Sequence, residues 1–124
     1  MILGVGIDVV HVYRLKRWEK IPGLLQRFFH DEELMVALPK GEAGILSLAA
    51  RFAAKEAFGK ALGTGLHGFS LKEIAVMNDE LGKPQFHLFG QAQESLERIG
   101  GKNVFVSLSH ERDNALAMVV IEGD

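Results

Sequence analysis

The sequence predicts an α+β domain in which an antiparallel sheet packs on one long central helix, with shorter helices beside it. Three observations carry that expectation. From Ile45 to Leu62 there is no proline, alanine is frequent, and Gly63 stands where a left-handed helix stop belongs. Ahead of this stretch, after one short strand, the apolar spacing is helical; behind it, alternating runs of five to seven residues are separated by turn residues. With 124 residues and 48% hydrophobic side chains, the chain is long enough for one core, so residues 1–124 form a single domain.

Taken in order, Ile2 to Val10 alternates as a strand, with Leu3, Val5, Ile7 and Val9 on one face and Gly4, Gly6, Asp8 and Val10 on the other. The glycine face has two readings: it lets a helix approach closely, or it leaves room for a ligand beside Asp8. It is not a dinucleotide fingerprint, because the third glycine position holds Val9. His11 to Lys20 turns helical with Leu15 and Trp18 inward, and Ile21-Pro22-Gly23 breaks it. Leu24 to Phe29 begins another helix, Asp31 is the expected N-cap for Glu32 to Leu38, and Pro39-Lys40-Gly41 is a turn before the central helix. Leu71 to Met77 and Gln85 to Phe89 read as strands around the turn Asn78 to Pro84. Gln91 to Ile99 is a short helix closed by Gly100-Gly101, and Val104 to Ser109 and Ala115 to Ile121 form a hairpin through His110 to Asn114.

The central helix is apolar nearly all round, which predicts burial and makes its charges informative, since an unpaired buried charge is costly. Arg51 with Lys55, and Glu56 with Lys60, form two columns at i,i+4 spacing. Glu56 falls on the apolar stripe between Phe52 and Ala49. Either Glu56 and Lys60 are an ion pair that solvates one edge, or Glu56 is a metal ligand or acid/base, with the lysines and Arg51 facing an anion. Gly63-Thr64-Gly65 could form a nest of N–H groups; at a helix C-terminus a phosphate there needs nearby cations, which Arg51, Lys55 and Lys60 would supply.

Composition excludes several classes. There is no cysteine, which removes disulfides, thiolate nucleophiles and zinc-thiolate sites. The first ten residues lack a basic leader and contain Asp8, and no apolar run approaches membrane length, so a soluble cytoplasmic protein is expected. A net charge of −2 argues against a general nucleic-acid binder. The charge is uneven, however: Arg14, Lys16, Arg17, Lys20 and Arg27 stand against Glu19 alone between Tyr13 and Arg27.

Phe52-Ala-Ala-Lys-Glu-Ala57 followed by Lys60-Ala-Leu-Gly-Thr-Gly65, together with Gly6-Ile-Asp8-Val-Val, resembles the 4′-phosphopantetheinyl transferases, and the short bacterial branch fits best. The resemblance runs through Asn78-Asp-Glu-Leu-Gly-Lys-Pro84 and Ser107-Leu-Ser-His110 to the terminal strand. It implies transfer of 4′-phosphopantetheine from coenzyme A to a serine of apo acyl carrier protein, releasing adenosine 3′,5′-bisphosphate, in support of fatty acid biosynthesis. By the same resemblance Asp8 and Glu56 bind Mg²⁺, a hard cation that suits oxygen ligands. Asp8, Glu56 and Lys60 are then the catalytic set, and Lys60 neutralises charge on the leaving side. Arg51, Lys60, Gly63, Thr64, Gly65, Gly82, Lys83, Pro84, Ser109 and His110 are expected around coenzyme A. The serine's proton acceptor stays open among Glu56, a metal-bound water or hydroxide, and His110.

One departure is visible: relatives often carry basic residues where this chain has Glu42, Ala43 and Gly44, so contacts to the nucleotide 3′-phosphate are expected to be fewer or to come from Lys40. The resemblance also implies a homotrimer with sites at subunit interfaces. It gives the basic first helix a purpose, since Arg14, Arg17, Lys20 and Arg27 would steer an acidic carrier protein. Two other classes compete: a different Mg²⁺-dependent enzyme acting on a nucleotide diphosphate, which needs no basic helix, and a silent coenzyme A-binding module, which needs no catalytic set.

Overall fold

A computed structural model describes residues 1–124, all of the chain. Its elements run β1 (Ile2–His11), α1 (Val12–Glu19), α2 (Leu25–Phe28), α3 (Asp31–Ala37), α4 (Glu42–Leu62), β2 (Ile74–Asn78), β3 (Pro84–Leu88), α5 (Gly90–Arg98), β4 (Gly101–His110) and β5 (Asn114–Gly123). β1, β5 and β4 form an antiparallel sheet in that order, and β2 with β3 forms a separate antiparallel pair. The α+β expectation holds, with five strands split between two sheets around α4.

Fifteen of the 21 residues of α4 are buried, which is what a stretch apolar on nearly every side requires. Against the three-stranded sheet it packs at backbone distance: a Cβ at Gly6 would overlap the carbonyl oxygen of Ala57, and one at Gly4 that of Ala61. Of the two readings of the glycine face, the close-packing one is realised. Ala115, Ala117, Val119 and Ile121 of β5 complete this inner face. The opposite face of the same sheet is left uncovered, with Val5, Ile7, Val9, Phe105 and Met118 each about half exposed. On the other sides of α4, Trp18, Phe28, Phe29 and Phe52 cluster with centroids 4.9–6.5 Å apart, and Phe58 packs on Phe69 and Phe86.

Several boundaries differ from the sequence reading for local reasons. α4 starts three residues early because Gly41, at φ +60°, turns the chain directly into it. The N-cap of α3 is His30 and not Asp31: His30 Nδ1 accepts from the Glu32 N–H at 3.1 Å, while Glu33 Oε1 accepts from the His30 N–H at 2.9 Å. Leu71–Glu73 is a 3₁₀ turn, not strand, because Ser70 Oγ accepts from the Lys72 N–H and Glu73 Oε1 from the Ser70 N–H. Gly63, at φ +85°, ends α4 as expected.

Candidate active site

α4 presents functional groups on two flanks. At about 100° per residue, Arg51 and Glu56 project about 140° apart, so they serve different surroundings.

On the flank facing β1 and α1, Lys60 Nζ donates to Asp8 Oδ1 at 2.9 Å and to the Ile7 carbonyl at 3.0 Å. The backbone contact at Gly4 and Gly6 brings β1 close enough for this. Lys60 therefore pairs with Asp8, and the Glu56–Lys60 ion pair, one of the two readings of that column, does not form; the chain's two ion pairs are Lys60–Asp8 and Lys55–Glu33. Glu56 is half-buried on the same flank. Burial pushes its carboxyl pKa above the ordinary range and the Asp8 charge adds to that, with Arg14 and Lys60 opposing. Arg14 reaches this flank from α1, its guanidinium 5.1 Å from the Trp18 ring centroid and 5.2 Å from that of Phe52. Two neighbouring carboxylates, one unpaired and partly desolvated, suit a hard divalent cation that completes its shell with water and ligand oxygens. No third His, Cys, Asp or Glu joins them.

On the other flank, Arg51 is held by its own helix and by β2. Its Nε donates to the Val76 carbonyl at 2.9 Å, Nη1 to Ser47 Oγ at 2.6 Å and Nη2 to Asn78 Oδ1 at 3.2 Å. It lines a cleft of about 390 Å³ with Ala43, Leu46, Ser47, Ala50, Asn78, Gly82, Pro84, Leu108 and His110. Arg51, Gly82, Pro84 and His110 are thus brought together, away from Asp8, Glu56 and Lys60. Ala43 forms part of the cleft wall where a basic residue would add charge, and Lys40 is exposed in the turn before α4, not among the lining residues.

Other expected residues are placed elsewhere. Lys55 faces no anion from solvent: its Nζ is buried against Glu33 Oε1 at 2.6 Å and the carbonyls of Phe28 and Leu71. The Gly63 and Gly65 N–H groups close α4, bonding the Lys60 and Gly59 carbonyls, which leaves little of the proposed N–H nest. Thr64 lines a small separate cavity with Leu62, His67, Ser95, Arg98 and Ile99. Lys83 lies in a neighbouring cleft with Gln85, Lys102 and Asn103. Ser109 alternates away from His110 and Leu108, onto the uncovered sheet face beside Leu116 and Val9. Sequence reasoning missed Ser47, Asn78 and Glu33. Ser47 was legible at i−4 from Arg51, whereas Glu33 meets Lys55 only through the tertiary fold.

The model of the 4′-phosphopantetheinyl transferase superfamily matches residues 4–119. The holo-[acyl-carrier-protein] synthase of Treponema denticola is 55% identical over 99% of this chain and 100% of its own length. A crystal structure of the holo-[acyl-carrier-protein] synthase from Neisseria meningitidis superposes with a TM-score of 0.88 at 39% identity, covering 98% of this chain and 99% of that one. That of Bacillus anthracis, in complex with coenzyme A (3′,5′-ADP), gives 0.83 at 35% identity, covering 100% and 99%. With its two-carboxylate flank and its arginine cleft on this shared frame, the chain belongs to the 4′-phosphopantetheinyl transferase superfamily.

Proposed function

We propose that this chain transfers 4′-phosphopantetheine from coenzyme A to a serine hydroxyl of apo acyl carrier protein and releases adenosine 3′,5′-bisphosphate. The observation that carries the reading is the cluster of Asp8, Glu56 and Lys60, set by backbone contact between β1 and α4 in a chain 55% identical, end to end, to a holo-[acyl-carrier-protein] synthase. In the reaction the serine Oγ bonds to the phosphorus next to pantetheine, the P–O bond to the adenosine-side phosphate breaks, and the serine proton is lost.

Asp8 and Glu56 hold Mg²⁺, which when bound offsets the pyrophosphate charge. The unpaired Glu56 carboxylate beside Asp8 fits that role. Lys60 gives the leaving phosphate a cation fixed by Asp8 and the Ile7 carbonyl. Within one protomer Glu56 is the acid/base group nearest Asp8 and Lys60, whereas His110 lines the Arg51 cleft on the other flank.

The Arg51 cleft takes the 3′-phosphorylated adenosine end of coenzyme A. Because the two flanks face apart on α4, one protomer's carboxylates and a neighbour's Arg51 cleft complete each site in a homotrimer. The half-exposed Val5, Ile7, Val9, Phe105 and Met118 supply the apolar surface for that association. Arg17, Lys20 and Arg27, exposed on α1, just after it and on α2, steer the acidic carrier. No helix is long and apolar enough to cross a membrane.

The test is incubation of apo carrier with coenzyme A, Mg²⁺ and this protein, read as the mass gain of one phosphopantetheine group. No gain with the wild type, or near-normal transfer by Asp8→Ala and Glu56→Ala, would refute the assignment.

A further inference from the structure

The Lys55–Glu33 pair is entirely shielded from solvent, and the chemistry described above leaves it unused. A buried ion pair is a poor source of stability, because desolvation consumes most of the attraction, so its retention calls for another reason. Burial holds the Lys55 ammonium below its ordinary pKa range, with the Glu33 charge working the other way. Every polar atom of the pair is occupied. Lys55 Nζ donates to Glu33 Oε1 and to the carbonyls of Phe28 and Leu71, at 2.6, 2.8 and 3.1 Å. Glu33 Oε1 also accepts from the His30 N–H, and Glu33 Oε2 accepts from the Val76 N–H at 3.0 Å.

That last bond links the pair to the cleft. β2 pairs only with β3, so its other edge presents unpaired backbone groups. At Val76 two side chains fill that edge: Glu33 takes the N–H, and Arg51 Nε donates to the carbonyl of the same residue at 2.9 Å. Two residues on, Asn78 Oδ1 accepts from Arg51 Nη2, and the hairpin that follows supplies Gly82 and Pro84 to the cleft. Lys55 thus fixes Glu33, Glu33 fixes the Val76 N–H, and the carbonyl of the same residue fixes the guanidinium against the cleft wall. We infer that Glu33, clamped by Lys55, is a positioning residue for coenzyme A binding, acting through Val76 on Arg51. The inference rests on the reading of the Arg51 cleft given above.

The experiment is a double-mutant cycle on the full-length protein, with coenzyme A affinity measured by calorimetry for wild type, Glu33→Gln, Arg51→Ala and the double variant. Glu33→Gln should weaken coenzyme A about three- to tenfold and raise its KM correspondingly, with kcat at saturation retained. In the Arg51→Ala background the same change should have almost no effect. A purely structural role would lower the melting temperature and the active fraction while leaving the KM unchanged. If Glu33→Gln does not fold, Glu33→Asp keeps the charge opposite Lys55 but is too short to reach Val76 as well, and it carries the same expectation. Equal losses in both Arg51 backgrounds, or unchanged affinity in a folded Glu33 variant, overturn the inference. Should Arg51→Ala itself leave coenzyme A affinity unchanged, the cleft assignment fails first and takes this inference with it.

Discussion

Replacing Lys60 by methionine separates stability from chemistry, because its ion pair sits where the two scale differently. The Lys60 side chain is 54% exposed and that of Asp8 19%, so their 2.9 Å contact belongs with surface pairs worth about 0.2–1 kcal/mol. At an unfolding entropy of about 2.1 cal/mol/K per residue, 1 kcal/mol shifts the melting temperature of a chain this size by about 4 °C. Lys60→Met should therefore melt within about 4 °C of wild type. In the reaction the same ammonium faces phosphate oxygens whose charge grows as the pyrophosphate breaks, and losing such a fixed donor costs about 10²–10³ in kcat, or about 2.7–4 kcal/mol. Calorimetric melting, together with initial rates of carrier mass gain at saturating coenzyme A, measures both quantities. A kcat within threefold of wild type, or a rate loss fully matched by unfolding, would refute the role given to Lys60.

Gly6→Ala should destabilise by about 1–3 kcal/mol and lower transfer as well, since relieving the overlap with the Ala57 carbonyl moves β1, and Asp8 with it, off α4; an unchanged melting temperature would contradict the backbone contact. Glu56→Gln in metal-free buffer should raise stability at neutral pH. The folded pKa of Glu56 lies above its unfolded value, so the group favours the fold below the unfolded pKa and that benefit is lost as pH rises through the folded one; the variant's advantage should vanish in melts near pH 4. Arg17→Glu with Lys20→Glu should raise the carrier KM several-fold and leave that for coenzyme A unchanged, and both should be compared at low and high salt. Arg14 is left out of that pair because it stacks on Trp18 and Phe52 and acts on Glu56, so its reversal would disturb the chemistry itself. Ile7→Asp places a charge on the uncovered sheet face and should give a monomer by light scattering with little transfer activity; an active monomer would show that each protomer holds a complete site.

The sequence made α4 plain because length, missing proline and a terminal glycine all agreed. β1 was visible as a strand, but alternation alone did not say which face was inward. The usual rule would bury Val5, Ile7 and Val9, yet the bare face of Gly4 and Gly6 takes the helix because only there can two backbones touch. The column of Arg51 and Lys55 looked like a cationic face toward one anion. In space the two diverge, Lys55 going inward to a carboxylate 22 residues away and Arg51 to a strand 25 residues ahead. No local pattern encodes such partners. Ser109 was carried with His110 as a neighbour in sequence, and strand alternation sends the two to opposite faces.

The contrast between Lys55 and Lys60 also has a chemical consequence. Acylating reagents attack neutral amines that solvent can reach. Lys60, more than half exposed, will be labelled in the native protein, while Lys55, wholly enclosed by Glu33, Phe28 and Leu71, must wait for α2, α3 and the Leu71–Glu73 turn to come away from α4. For a domain of ordinary stability that opening is rare enough to separate the two labelling rates by about 10³-fold or more. A single peptide bearing both residues then carries its own internal standard, Lys60 reporting reagent and Lys55 reporting how often the molecule opens.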